Sequence, residues 1–523
     1  MIARRLRHVV ALAALFVAGS AGAQSDKPMV LITVKSAKDL ITKLKDLTKS
    51  TMEAAGQGAM WPLIQGGIEA KLGKEGEKIP GFDPTKPLGV RIMYKKPSPP
   101  APIDGDVLIL LPATDATKFI GQGLPALGFA NPAAGDGGLT TFALGPNAKA
   151  FAREASGYVA VSIAEAEVVS AAKLPKPEEV FGAPKHDLSL VVSPSAVPEE
   201  VARNVAKMLA GPTGGEKEIQ QILDLDSFEL NYDLDPSAGK VVFETVQSAK
   251  SGTGLATMLK GSTAGPLRSA IGLAPNAVFN LAMRGDWVAA SGMFAQALQG
   301  LELAEKSVPG FGSSETTKGV MDLLRELSKT ELEDFAVSIS GDGTMVMGFA
   351  LKSTASFELK VGELVEKLVP VIQKEAGENA DKVKEMSKRD AETLSGVKVT
   401  RLWVPLNKKA NAVAVSILFG VKDEVAFIAT SFLETHETIE NALKQKTIDS
   451  HEPLIMTLKL NELANAFRVL DYKGTSAIKA ESKGGNPFKI SMEIPVKDIA
   501  ELIKAGLPDK IKERLGVGGK DDG

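Results

Sequence analysis

The feature that most constrains this chain is a set of ribbons that run out, turn tightly and come back with a period of two. Phe335, Val337 and Ile339 alternate with smaller or polar neighbours up to Gly341-Asp342-Gly343, and Met345, Met347, Phe349 and Leu351 return in the same rhythm. Phe228, Leu230 and Tyr232 do the same into the turn Asp235-Pro236-Ser237-Ala238-Gly239, with Val241 and Phe243 coming back. Successive side chains of a strand point to opposite faces, so this alternation buries one face and wets the other. That is the signature of an antiparallel sheet, not of a parallel one buried on both sides. Further hairpins are expected to pair 139–144 with 157–162, 413–419 with 425–430, and 477–480 with 488–494. Single strands are expected at 29–34, 89–94, 106–111, 188–192, 277–282 and 454–458.

Helical spacing fills the gaps between ribbons. Ser36 with Asp39 three residues on makes a capping-box-like start for Leu40, Ile41, Leu44 and Leu47. Pro112-Ala113-Thr114-Asp115 opens a helix carrying Phe119, and Pro198 leads into Val201, Val205, Met208 and Leu209. Helices are also expected at 255–259, 293–301, through Leu359, Leu364, Val365 and Leu368, through Leu463 and Phe467, and at Ile499, Leu502 and Ile503. The expected class is α+β: mostly antiparallel sheets built from hairpins, with helices packed on one face. The order strand–helix, hairpin–helix, hairpin, strand–helix, hairpin–helix is read twice, in halves 24–272 and 273–510. His186-Asp187 and His451-Glu452 fall at equivalent places in the two. Pro, Gly and Ser mark flexible points at 96–103, 131–138, 211–217 and 310–317, and 374–392 reads as a solvated, protruding helix of mixed charge. A disordered tail is expected over 511–523, polar from Gly516 on.

Residues 1–23 read as an export leader. Arg4, Arg5 and Arg7 precede an apolar run from Val9 to Ala18, and Ala21-Gly22-Ala23 has the small-x-small pattern of a cleavage site, with Gln24 the expected mature N-terminus. The run is too short to span a bilayer, and no second apolar run of roughly 18 residues follows. The periplasm or cell surface is the expected destination. Without the leader the formal charge moves from −3 to −6, 58 basic residues against 64 acidic, which lacks the concentrated basic face that nucleic acid requires. The chain has no cysteine, which excludes disulfides, thiolate metal sites and a lipidated N-terminal cysteine. Three tryptophans and four tyrosines leave few rings for stacking on sugars or bases.

Motifs that carry chemistry fail on context. Ser170-Ala171-Ala172-Lys173 matches S-x-x-K and Lys250-Ser251-Gly252 a later partner element, but no S-x-N stands between them. Gly261-Ser262-Thr263-Ala264-Gly265 has Thr at the centre of what would be a nucleophile elbow. Gly121-Gln122-Gly123-Leu124-Pro125-Ala126 fits a relaxed dinucleotide fingerprint but follows a helix and holds a proline where a helix should open. Asp233, Asp235, Ser237 and Glu244 sit at the spacing of calcium-loop ligands, yet the glycine required at the sixth position is Ala238 and the flanks alternate as strands. A hairpin turn accounts for the same residues. Glu434, His436 and Glu437 cluster without the second histidine of a zinc-protease helix, and His186 and His451 read as exposed residues ahead of strands. No residue is nominated as catalytic, cofactor-binding or metal-ligating, and no cofactor is expected.

Gly81-Phe82-Asp83-Pro84-Thr85-Lys86-Pro87-Leu88-Gly89, Leu110-Leu111-Pro112-Ala113-Thr114-Asp115 with Phe119, and Gly157-Tyr158-Val159-Ala160-Val161-Ser162 resemble elements of a loose class of exported bacterial envelope proteins of unknown function, chiefly over residues 28–200. The resemblance implies export and no activity. The leading expectation is therefore a non-catalytic binding or scaffolding protein whose partner is an unknown macromolecule or an apolar ligand. The alternatives are a hydrolase with carboxylate chemistry between the halves, or a carrier of an apolar ligand with Met345 and Met347 in its lining.

Overall fold

The computed structural model describes residues 27–73, 78–95, 104–144, 149–163, 166–170, 174–210, 215–261, 266–284, 332–406, 413–432, 436–445 and 452–515. The expected leader, the segments 96–103, 293–301 and 310–317, His451 and the tail beyond 515 lie outside them. The class is α+β, with antiparallel sheets and helices. The chain divides into two compact units. Unit 1 takes the described residues up to Thr257 together with Asn486–Ala500, and unit 2 takes Met258–Gly485 with the described residues from Glu501 on.

Unit 1 holds β1 (Val30–Val34), β2 (Leu88–Lys95), β3 (Asp104–Pro112), β4 (Ala130–Ala134), β5 (Thr140–Ala143), β6 (Lys149–Ala155), β7 (Tyr158–Ile163), β8 (Leu188–Val192), β9 (Leu225–Asp235), β10 (Lys240–Ala249) and β20 (Phe488–Ile494). They pair antiparallel in the order β20–β10–β9–β8–β1–β2–β3–β7–β6–β5–β4. Helix α1 (Ala37–Ala54) starts as its sequence requires: the Ser36 hydroxyl accepts the Asp39 N–H at 3.1 Å, worth about 1 kcal/mol. Asp115 caps the turn carrying Phe119 by accepting the Lys118 N–H at 2.9 Å. Phe119, Leu124, Phe142 and Val159 are fully buried together in the core beside Val30 and Ile92. Helix α2 (Trp61–Leu72) turns its indole inward while Met60, Leu63 and Ile64 stay exposed.

Unit 2 holds β11 (Ala277–Arg284), β12 (Leu332–Ser340), β13 (Met345–Leu351), β14 (Lys388–Leu394), β15 (Val397–Pro405), β16 (Ala414–Lys422), β17 (Val425–Ser431), β18 (Leu454–Lys459) and β19 (Ala477–Lys483). Their order is β19–β18–β11–β12–β13–β17–β16–β15–β14, again antiparallel. Subtract ten from each label and the order of unit 1 from β9 to β4 results. Both faces of this sheet are covered. Phe349, Phe419 and Ala426 pack with Phe357, Val361, Leu364 and Leu368 of helix α3 (Ala355–Glu375). Their alternating neighbours Ala350, Leu418 and Phe427 pack with Ile439, Ala442 and Leu443 of the short helix α4 (Glu437–Leu443). Burial on both sides is why Val425 to Ala429 is apolar throughout.

Three expectations are corrected. Segments 139–144 and 157–162 do not pair with one another, because β6 lies between them, bonded to β5 on one side and β7 on the other. Segment 131–138 is no simple loop: β4 pairs with β5 there. Segment 374–392 does not protrude as one helix. It ends α3, forms a short helix Ala380–Met386 with Val383 fully buried, and passes into β14. Two smaller departures concern helices: Glu216–Leu223 begins inside the loop expected to 217, and Leu507–Leu515 runs into the tail expected from 511.

Candidate functional site

In unit 1, polar side chains converge around His186. The β8–β9 register sets Leu188 opposite Tyr232, which brings His186 and Asp187, just ahead of β8, beside Asp233. The His186 ring places Nδ1 2.7 Å from Asp233 Oδ2 and Nε2 3.7 Å from Glu244 Oε1. Glu244 stands directly across from Asn231 in the β9–β10 ladder, whose side-chain amide donates to Oε1 at 3.4 Å, and Lys489 of β20 brings Nζ to 3.6 Å of the same oxygen. The Asp187 N–H donates to Asp233 Oδ1 at 3.0 Å. Asp187's own carboxylate accepts the Leu234 N–H at 2.9 Å and lies 2.8 Å from Lys43 Nζ of α1 through both oxygens. An imidazole held by a carboxylate is the usual frame of a general base. Here, however, the second ring nitrogen faces another carboxylate, and the cluster ties α1, β8, β9, β10 and β20 together.

The four residues spaced like a calcium loop separate in space by role. Asp233 engages His186, Glu244 lies on the opposite strand, and Asp235 turns back on its own loop to accept the Ser237 hydroxyl and the Ala238 N–H. Among the described residues no group of three or more histidine, aspartate or glutamate side chains is placed to hold a metal ion. Gly121–Ala126 forms helical turns in which Gly123 packs against the Phe119 ring, so the fingerprint spacing there serves packing.

In unit 2, His436 precedes α4 with its side chain 7% exposed. Nε2 lies 3.3 Å from Glu392 Oε1 and 3.3 Å from Arg401 Nη2, and Arg401 also pairs with Glu392. Nδ1 is buried without a hydrogen-bond partner among the described residues. Burial holds this imidazole below its ordinary range; Arg401 pushes the same way, while Glu392 and Glu440 pull it back up. Asp334 on β12 is likewise buried, and burial raises its carboxyl above the ordinary value against the pull of Ser269, Arg268 and Arg284. It accepts the N–H of Ser269 at 2.6 Å and of Arg268 at 3.3 Å, pinning the turn Arg268–Gly272 onto the sheet.

The same unit carries a cavity of about 540 Å³ between the 274–276 loop, the β12–β13 turn and one face of α4. Ser340, Asp342, Thr438, Asn441, Lys444 and Gln445 are among its lining residues. Sequence reasoning saw the Gly341-Asp342-Gly343 turn but not its meeting with Asn276 and with Thr438 to Gln445, which come from segments far apart in the chain.

No family model and no curated protein matches the chain. A crystal structure of TP0453 is similar over 45% of this chain and 80% of its own, at 11% identity and a TM-score of 0.23, a likeness too slight to carry an argument. No helix among the described residues is long and apolar enough to cross a membrane.

Proposed function

We propose that this is an exported, non-catalytic binding or scaffolding protein of the bacterial periplasm or cell surface. The observation that carries this reading is how the reactive groups are spent. His186, Asp233, Asp187 and Glu244 are engaged with one another and with lysines from α1 and β20, so their bonds hold five elements in register. His436, Glu392 and Arg401 do the same for α4, β14 and β15. The arginine-led apolar leader supports export, and the common strand order of the two units supports a duplicated scaffold. The test is to incubate the purified chain with ester, glycoside and peptide substrates, with and without chelator. No turnover is expected; turnover abolished by His186→Ala would overturn the reading. Recovery of the protein from its host outside the cytoplasm, beginning at Gln24, is the expected outcome for export, and intact Met1 in the cytosol contradicts it.

A second reading, a hydrolase, has one observation in its favour: the 2.7 Å contact between His186 and Asp233. It requires Glu244 to swing away from Nε2. The substrate screen decides between the two.

A further inference from the structure

We infer that His436 is an acid-operated latch: a second proton on its buried ring loosens helix α4 from the sheet of unit 2 and uncovers the apolar face beneath it. The device works whatever the chain binds.

The neutral ring fits its surroundings in one way. A guanidinium can only donate, so with Arg401 Nη2 3.3 Å from Nε2 that ring nitrogen must accept, which puts the ring proton on Nδ1. Nδ1 is buried without a hydrogen-bond partner among the described residues, so this proton is already poorly placed. A second proton, on Nε2, turns the acceptor into a donor and breaks the bond from Arg401. It also sets one cation beside another around a side chain only 7% exposed. Glu392, 3.3 Å from Nε2, is already paired with that same guanidinium. Protonation therefore converts a neutral pair with an uncharged ring into three charges with a net positive sum. Among the described residues, the charged groups that act on the ring are Glu392 from β14, Arg401 from β15 and Glu440 of α4 itself. Arg268, in the turn packed against α4, is engaged with Glu333 and Glu424. Burial, helped by Arg401, outweighs the two glutamates, so the seated ring is the harder one to protonate.

Helix α4 is short, and His436 immediately precedes its first residue, so the ring and the helix seat together. Ile439, Ala442 and Leu443 press onto Leu394, Val397, Val399 and Phe427, an apolar face that is bare once α4 lifts. The other polar ties of the helix are the Thr438 hydroxyl donating to Asp342 at 3.3 Å, the Ser395 hydroxyl donating to the Glu440 carbonyl at 3.3 Å, and Lys422 donating to the Leu443 carbonyl. Unperturbed hydroxyl, carboxylate and ammonium groups do not change charge between about pH 5 and 8, whereas an imidazole does. The ring is the one tie of this set that mild acid can cut. Lifting α4 hydrates the ring and returns it toward its ordinary value of 6.5, so opening takes up a proton. The hold of the latch is complete above 6.5 and is lost as pH falls through the lower value of the seated ring. Between the two values, each pH unit multiplies the open fraction by about ten.

The test is amide hydrogen exchange of the full mature chain at about pH 7.5 and about pH 5.5, each rate divided by its intrinsic value at that pH; ordinary glutamates, near 4.3, stay ionised throughout. Exchange over 437–443 is expected to rise by about threefold or more on acidification, while β16 and β17 of the same unit stay protected. His436→Gln keeps an acceptor for Arg401 and cannot titrate, so its ratio between the two pH values should stay flat. Glu440→Gln removes an acid that favours the imidazolium, so the rise should begin at lower pH, an outcome available even where His436→Gln fails to fold. The same rise in His436→Gln overturns the latch, as does no rise in the parent or an onset in Glu440→Gln that does not move. Equal loosening of β16, β17 and α4 also overturns it, because acid would then be unfolding the whole unit and not releasing one helix.

Discussion

Replacing Gly272 by alanine tests how tightly the turn Arg268–Gly272 is seated on the sheet of unit 2. A Cβ at Gly272 would stand 2.4 Å from the Ala336 carbonyl oxygen and 2.6 Å from the Gly348 nitrogen, where ordinary contact begins at 3.4 Å. Both obstacles are backbone of paired strands, so no side chain can rotate away, and the turn must lift by about 1 Å. Lifting it overpacks the core around Leu267, Ala270 and Ile271, at roughly 1–3 kcal/mol. It also stretches the bonds from Ser269 and Arg268 to the Asp334 carboxylate, at roughly 1.5–3 kcal/mol for bonds to a charged group. A loss of about 3 kcal/mol is expected, which lowers the melting midpoint of a unit this size by roughly 6–12 °C. Gly67→Ala is the opposite case. Gly67 lies inside α2 with nothing within 4 Å of the new Cβ, so better helix propensity should stabilise unit 1 by about 0.5–1 kcal/mol. Thermal and urea unfolding followed by circular dichroism and tryptophan emission reads both. A Gly272→Ala protein within about 0.5 kcal/mol of the parent would refute the close-approach argument.

The remaining predictions concern buried polar groups, caps and packing. Asp334→Ala removes the acceptor of two backbone N–H groups and a neighbour of the buried Arg284, and should cost about 3–5 kcal/mol in urea unfolding. The His436 imidazole is held below its ordinary value of 6.5, so its contribution to stability is present above that pH and is lost as pH falls through the depressed folded value. His436→Gln should therefore flatten the fall in urea midpoint between neutral and mildly acidic pH; an unchanged slope contradicts the assignment. Asp115→Ala should cost about 1 kcal/mol through the lost cap on the Phe119 turn, measured the same way. Phe427→Ala should cost about 3–5 kcal/mol, because the ring is fully buried between β16 and α4.

Strands were legible in the sequence where large apolar residues alternate. The 335–351 and 228–243 hairpins fold as read because Phe335, Phe349 and the edge-to-face pair Tyr232–Phe243 announce their faces. Strand β6 passed unseen because its inward residues, Ala150 and Ala152, are fully buried yet too small to mark a period. Strand β14 was hidden by charge: Lys388, Arg389, Asp390 and Glu392 look solvated, and three of the four are exposed, but the ladder to β15 needs only backbone. The site was less legible for a different reason. His186 and Asp233 are 47 positions apart and meet through strand register, while the cavity draws on segments near 275, 341 and 441. No local spacing encodes either arrangement.

The strand that closes unit 1 against β10 arrives last. Val241 to Gln247 bond to Ile494 to Phe488, and Asn486 clasps the N–H and carbonyl of Ala249 at 2.9 and 3.0 Å. A ribosome delivers β9 and β10 long before it reaches residue 486, so for nearly half of synthesis that flank offers a row of unpaired amides to any passing chain. A nascent or truncated form ending short of 486 is therefore a natural client for a holdase, and completion of the amino-terminal unit is a timing event set by the far end of the message.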